Sequence, residues 1–522
     1  MNFLDYAIIV VYLVGLLFMG FLLKNQNDKQ DYFLGGRTLG WKPLSLSIMA
    51  TQLSAISFVS APAFVGLREG GGLIWLSYEL AVPIAMLLLL WKVLPRLYNA
   101  GVVSVYDYLE GRFNRSTRLL LSFVFQMSRS FATAIMIYAV SIILQGTIGL
   151  AYWQSILLIG CVTVVYSLQG GMKAVVYGDA LQMVLIVLGT AACLGFALYH
   201  IGGVQIFLDG VDPARLQAVN FSSFGINGEG FGFWPMLFGG VVLYASYYGC
   251  DQSEAQRLLS AKNQHDLKKM VMAATFMRFP VTLLYCMSGL VIGTLVLTTP
   301  SLLAQIPADK PDWMMPIFIV NYMPNGVIGL LLVAILAAAM SSLSSAVNSL
   351  SAVSVEDYCR LKDAKLSNEQ YLVAARYMGI FWGVVTLGLS FFAGNIAPTV
   401  IEAINKIGSL FYGPILAIFT LGLLIKRVNG THASIGLVSG VFINVCVWQF
   451  APNIFWFWWN LIGFLSTAGV GILTSFTFNL EAAKQDSDDT KALRSLSLRD
   501  ASLMILWFIF IVAIAVTIPF VL

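Results

Sequence analysis

Apolar runs of membrane-crossing length recur along the whole chain, and no other feature restricts its fold as much. A span needs roughly 17–25 apolar residues, and about fourteen such runs can be placed. They are centred near residues 13, 55, 85, 131, 160, 187, 243, 284, 336, 382, 411, 440, 466 and 511. A chain of 522 residues that is 58% hydrophobic and 11% charged cannot hide that surface in a soluble core. The expectation is an all-α polytopic membrane protein. The first run, MNFLDYAIIVVYLVGLLFMGFLL, has an acid where a signal peptide carries basic residues and lacks a small-residue cleavage site, so it reads as a span.

The connections between runs are sharply asymmetric in charge. Odd-numbered connections and their flanks hold 24 of the 30 basic residues, among them Lys24, Arg96, Lys173, Arg257, Lys362 and Arg427. Even-numbered connections hold three, Arg68, Arg215 and Lys310. Basic loops stay in the cytoplasm, which makes the odd connections cytoplasmic and puts both termini outside. A multi-pass protein of the plasma membrane follows, with a bacterial inner membrane as the expected setting. The net charge of +4 reflects this bias and points to no nucleic-acid partner.

Several function classes drop out. The six cysteines show no metal spacing and no disulfide framework, and three histidines near segment ends do not supply a zinc site or a His-based triad. No phosphate loop followed by Lys-Ser/Thr supports ATP-driven pumping. A sensor would need an appended signalling domain, and the longest connections, 202–233 and 479–499, are near linker size. An enzyme would need a nucleophile with a base, and the serines have no partnered histidine.

What remains is the polar content of the spans. Arg129, Arg278, Lys406, Glu79, Asp179 and Glu402 fall within apolar runs. A charge at mid-bilayer costs on the order of 2.5–3.5 kcal/mol on insertion scales, so such residues face a cavity or a partner. Glu402 and Lys406 are four apart and are expected to pair on one helix face. The stretch SSLSSAVNS, Ser341 to Ser349, places Ser341, Ser344, Ser345 and Asn348 on one stripe. Such serines serve either close helix packing with back-bonding to the preceding turn, or a hard-cation site built from hydroxyls and freed carbonyls. A second cation would want one carboxylate, and Asp179 is the candidate. Freed carbonyls arise where helices break, often at the start of each of two inverted halves. The second run carries Thr51, Gln52, Ser54 and Ser57 at mid-membrane without a central Gly or Pro. Five spans later, WPMLFGGVVLYASYYGCDQ holds Pro235, Gly239, Gly240 and Gly249, and the odd spacing gives inverted topology.

Five stretches, DYFLGGRTLGW, ATQLSAISF, YSLQGGMKAVVYGDALQ, DQSEAQRLLSAKN and AAAMSSLSSAVNS, resemble the sodium/solute symporter family that includes the sodium–glucose cotransporters. The resemblance covers roughly residues 4 to 427. It implies a LeuT-like core, a five-helix inverted repeat, at residues 44–427, after an extra helix and loop at 1–43 and before three further helices at 428–522. It implies a first Na+ site at the carbonyls of Ala50, Leu53 and Ala338 with the hydroxyls of Ser341 and Ser342. A second Na+ site would use Asp179, Ser344 and Ser345. Solute contacts would come from Ser57, Glu79, Arg278 and Asn405, beside Gln52 and Ser54 of the polar second span, with Tyr247 at an aromatic inner gate. Acid-carrying relatives use a fourth-span arginine, and Arg129 lies about one turn early for that role. Sugar carriers place an asparagine where this chain has Tyr244.

The expected function is Na+-coupled symport of a small polar solute by alternating access. The leading expectation for the solute is a sugar or sugar-like polyol, which Glu79 and Asn405 favour, with an organic acid as the alternative. Arg129 and Arg278 favour an organic acid such as a sialic acid or monocarboxylate, because arginine's fork matches a carboxylate. Its partners are Na+, the solute and the lipid bilayer; the sequence does not give the oligomeric state.

Overall fold

In lipid a backbone must satisfy its N–H and C=O groups within its own segment, so apolar runs become helices. The computed structural model describes residues 2–23, 28–53, 55–228, 230–362, 366–392, 399–477 and 496–522, and these are helical with no β-strand. The helices that matter here are α1 Phe3–Leu22, α2 Trp41–Gln52, α3 Ala55–Gly66, α4 Leu73–Asn99, α5 Arg115–Ile148, α6 Tyr152–Val165, α7 Gly170–Ile201 and α8 Phe233–Cys250. They continue with α9 Gln252–Leu259, α10 Gln264–Thr298, α11 Val327–Lys362, α12 Asn368–Ser390, α13 Val400–Leu424, α14 Gly430–Phe450, α15 Phe457–Thr477 and α16 Leu498–Val521.

Among the described residues, eleven helices are long and apolar enough to cross a membrane, and α2 with α3 makes a twelfth if that bent pair is one span. The other two expected positions are helical but fall short. α6 is a shorter apolar helix, and α8 gives up apolar character to Tyr244, Tyr247 and Tyr248, all buried. The count of about fourteen therefore holds roughly.

The second span does break. α2 and α3 meet at a bend of 51°, and Leu53 leaves the helical region at φ −83°, ψ 69°. In the seventh run the outcome differs from the sequence expectation. α8 runs unbroken through Gly239 and Gly240, and the chain turns only at Asp251, φ −77°, ψ 123°. Those glycines serve close approach instead. A Cβ on Gly239 would sit 2.1 Å from the Phe457 carbonyl oxygen, and one on Gly240 would sit 2.9 Å from Ala81 Cβ. At the start of α7 the chain leaves helical geometry at Gly171, whose φ of 54° suits glycine and whose Cβ would meet the Tyr32 carbonyl oxygen at 2.8 Å.

A second glycine seam joins α3 to α10. A Cβ on Gly66 would lie 2.5 Å from the Gly289 carbonyl oxygen, and one on Gly293 would lie 2.3 Å from Gly66 Cα. Gly289 and Gly293 are four apart on α10, the small-xxx-small spacing that lets membrane helices touch backbone to backbone. Helices α7 and α11 pack along each other, bringing Asp179 against the serine stripe. Arg68 and Arg215 lie together, Arg215 Nη1 donating to the Arg68 carbonyl at 3.1 Å.

Candidate functional site

Near the bundle centre lies a cavity of about 70 Å³ lined by Gln52, Ser57, Glu79, Arg129, Tyr247, Arg278 and Asn405 together with Tyr78 and Tyr412. Seven of the eight solute residues expected from sequence thus share one wall; the eighth, Ser54, lies outside the described residues. They come from α2, α3, α4, α5, α8, α10 and α13, so no single element makes the site. The cavity is well below the roughly 300–1,000 Å³ of an open ligand pocket.

Most of its polar groups are already engaged. Glu79 receives the Arg278 fork, with Nε to Oε2 at 2.6 Å and Nη2 to Oε1 at 2.8 Å. Tyr244 donates its hydroxyl to Glu79 Oε2 at 3.0 Å and stacks on Tyr78 with centroids 4.5 Å apart. Both charges are buried, so each depends on the other for its counter-charge. Tyr248 donates to Gln52 Oε1. Asn405 donates to the Ile401 carbonyl at 2.8 Å, and its Oδ1 accepts from Tyr78 at 3.5 Å. Arg129 is the exception. It is 2% exposed, yet Nε, Nη1 and Nη2 make no hydrogen bond. Its nearest carboxylate, Asp251, stands 3.8 Å away, and its guanidinium sits 6.0 Å from the Tyr247 ring centroid. The fourth-span arginine therefore does reach the cavity despite its register. Tyr247 in turn meets Tyr412 and Tyr248 edge-on at 6.0 and 5.6 Å, closing the floor with aromatic rings.

A second polar centre lies between α2, α7, α9 and α11. Asp179 is fully buried. Its Oδ1 accepts from Ser341 at 2.5 Å, and its Oδ2 accepts from Ser47 at 2.6 Å and from Arg257 Nη2 at 2.7 Å. The serines of α11 send their protons to the preceding turn: Ser342 to the Ala338 carbonyl at 3.2 Å, Ser344 and Ser345 to the Ser341 carbonyl at 2.9 and 2.7 Å. That is the back-bonding expected of packing serines. It also leaves the Ser342 and Ser344 oxygens free to accept, whereas Ser345 already accepts from Arg257 Nη2, so for those two packing and cation binding do not exclude each other. Ala50, Leu53 and Ala338 are wholly buried. Ser47, one turn before Ala50, and Ser341 bond the same carboxylate, which draws the break in α2 to the serine stripe.

Sequence reasoning missed Ser47, Arg257 and the Tyr244 hydroxyl. In the sequence Arg257 reads as one of the loop cations, although its neighbours Ala255, Leu258 and Leu259 signal a buried helix. The pairing of Glu402 with Lys406 does not form either. Glu402 instead takes Arg68 Nη2 at 2.8 Å, because the start of α13 faces the end of α3, while Lys406 lies 5.9 Å from the Trp448 ring centroid. These residues line a cavity of about 1010 Å³ together with Arg215.

Residues 32–440 match the sodium:solute symporter family. The chain belongs to that family. It is 28% identical to sodium-coupled monocarboxylate transporter 1 of Xenopus laevis over 81% of this chain and 67% of that one. It is also 28% identical to sodium/glucose cotransporter 1 of Ovis aries over 85% of this chain and 71% of that one. Among solved structures, a substrate-bound, outward-open Na+-coupled sialic acid symporter superposes with a TM-score of 0.81 at 25% identity, covering 93% of this chain and 100% of the other. The protein is thus a Na+-coupled solute symporter with a LeuT-like helical core, a transporter and not an enzyme.

Proposed function

We propose that this symporter couples Na+ entry to uptake of a small organic anion, with Arg129 as the carboxylate anchor. The observation that carries this reading is the state of Arg129: buried, lining the cavity, with three nitrogens that make no hydrogen bond. Asp251 faces the buried guanidinium at 3.8 Å without a hydrogen bond, and donors left unsatisfied are costly, so a solute carboxylate would supply the fork with the paired acceptors that Asp251 does not. The sugar or polyol expected from sequence rested on Glu79 and Asn405. Both are spent on protein partners, Arg278 and Tyr244 for the first, Ile401 and Tyr78 for the second. The modest cavity favours a compact solute. In this reading the first Na+ sits among the carbonyls of Ala50, Leu53 and Ala338 and the hydroxyls of Ser341 and Ser342. The basic connections face the cytoplasm, both termini lie outside, and the cavity beside Arg68 and Glu402 admits solute and ion.

The test is uptake into proteoliposomes under a sodium gradient, with a panel of short monocarboxylates and hexoses, for wild type and Arg129→Gln. Monocarboxylates should accumulate, hexoses should not, and Arg129→Gln should raise the half-saturating carboxylate concentration at least tenfold. Hexose accumulation that survives Arg129→Gln unchanged overturns the anion reading and restores the polyol one.

A further inference from the structure

Three arginines are buried around the central cavity and its floor, and each faces a carboxylate of its own. Arg278 holds Glu79 at 2.6 and 2.8 Å, Arg257 Nη2 reaches Asp179 Oδ2 at 2.7 Å, and Arg129 Nη1 stands 3.8 Å from Asp251 Oδ2. A fourth carboxylate, Glu254 of α9, is left over. It is 0% exposed, and neither of its oxygens makes a hydrogen bond among the described residues. Four buried carboxylates against three buried arginines leave one negative charge without a counter-charge. A buried carboxylate in that position is neutralised by taking a proton.

Helix α9 keeps Glu254 from water. All eight of its residues are buried, and bonds on both sides of Glu254 hold it. Gln252 donates to the Val103 carbonyl at 2.7 Å, Ser253 shares a hydrogen bond with Ser349 at 2.8 Å, and Gln256 donates to the Phe33 carbonyl at 2.6 Å. The charged and titratable groups that face Glu254 are Arg257 on its own helix, Asp251 at the cap of that helix, Arg129 on α5, Tyr247 and Tyr248 on α8, and Tyr412 on α13. From α2 and α11 the contacts with α9 are hydroxyls, Ser47 to Arg257 and Ser349 to Ser253. Segments 94–99 and 105–112 bring Tyr98 and Tyr106, which donate to the Ala261 and Cys250 carbonyls at 2.8 and 3.1 Å. Asp251 is itself committed, its Oδ1 accepting the Ser253 N–H at 2.8 Å. Burial outweighs the pull of Arg257 and Arg129 and pushes the Glu254 carboxyl up to about 8.

We propose that Glu254 is a proton site beneath the solute cavity, and that a proton on Glu254 and an organic anion at Arg129 each favour the binding of the other. Ionised, Glu254 adds a second negative charge to that of Asp251 beside Arg129 and repels an incoming carboxylate. Protonated, it leaves Arg129 balanced by Asp251 alone, so the floor is neutral before the anion arrives. The proton comes from solvent and forms one O–H bond on a carboxylate oxygen; no other bond changes. The link is reciprocal: the factor by which the proton raises anion affinity is the factor by which the anion raises proton affinity. This proposal rests on the anion reading of Arg129 given above and adds a proton to what that site binds.

Two measurements on the purified full chain in sodium buffer test it, each on wild type and on Glu254→Gln, which has the shape of the neutral acid. The first is an infrared pH titration without solute. Wild type should show the carbonyl stretch of a protonated carboxyl that fades as pH climbs through about 8, and the variant should lack that band. The second is calorimetric binding of lactate, which stays ionised throughout. Its dissociation constant in wild type should rise roughly fivefold or more from pH 6.5 to pH 9, with proton uptake on binding near pH 8. Glu254→Gln should keep the tight low-pH value at both ends and take up no proton. A band that survives in Glu254→Gln, a wild-type lactate affinity that ignores pH, or a pH dependence that persists in the variant overturns the proposal. If Glu254→Gln does not assemble, Glu254→Met, apolar and of similar volume, gives the same readings. Failure of the anion reading looks different: lactate then binds at no pH, while the infrared band remains.

Discussion

The buried Glu79–Arg278 pair makes the sharpest stability prediction. Glu79→Gln keeps the shape of the side chain and its contact with Tyr244 but removes the charge that Arg278 faces at 2.6 and 2.8 Å. Side-chain exposures of 0% and 5% leave water no access to compensate. Breaking a buried pair by removing one partner costs about 3–5 kcal/mol, because the other charge is left unpaired, and removing that second charge as well recovers most of the loss. The expected order is therefore wild type close to Glu79→Gln/Arg278→Met, with Glu79→Gln alone well below both. The assay is a double-mutant cycle on thermal unfolding in detergent, where coupling of about 2 kcal/mol or more is expected. Sodium-driven uptake measured in parallel separates folding from transport. A Glu79→Gln protein as stable as wild type but defective only in solute affinity would refute the argument and return Glu79 to the role of a solute ligand.

Two further predictions concern the ion site and the segment between α10 and α11. Ser342→Ala removes one proposed sodium ligand without disturbing the carbonyl that Ser342 back-bonds, so the sodium concentration for half-maximal uptake should rise roughly tenfold, the equivalent of one ligand worth ~1.4 kcal/mol; an unchanged sodium dependence refutes the assignment. Asp312, in the loop before α11, is held by the Val400 N–H at 3.0 Å, and its carboxyl is pushed up to about 6, first by burial and also by nearby Glu402. A carboxyl raised on folding stabilises most below its unfolded value near 4 and loses that contribution as pH climbs through about 6, at most roughly 3 kcal/mol. Melting temperature should fall from pH 5 to pH 7.5 in wild type and stay flatter in Asp312→Asn, and equal slopes would remove Asp312 as the cause.

Helix positions and the basic asymmetry are legible because both follow from one-dimensional rules, the length of an apolar run and the sign of a loop. The break in the second span is less so. Nothing at Leu53 marks it, since no glycine or proline sits there, and the bend depends on what packs around it. The glycines of α8 misled in the opposite direction: the residue type allows a kink, but Phe457 and Ala81 pressing on Gly239 and Gly240 turn it into a close contact. Cavity residues are legible one by one, and seven of them do converge. Their state is not. Whether Glu79 is free for solute depends on Arg278, about two hundred residues away in sequence, and whether Asp179 is free for sodium depends on Arg257. Pairings between distant charges are set by three-dimensional placement, and this is where reading Glu402 with its own helix neighbour Lys406 went astray.

The seam of Gly66, Gly289 and Gly293 bears on how motion in this protein is to be measured. Where backbone meets backbone there are no rotamers to re-sort, so α3 and α10 can separate or stay, but they cannot slip past each other by small side-chain hops. The contact of α3 with α13 is of another kind, a quarter-exposed arginine reaching a carboxylate through flexible side chains. Distance probes placed across the first contact form a ruler fixed within the molecule. Probes placed across the second report against that ruler, and a displacement seen between α3 and α13 belongs to α13.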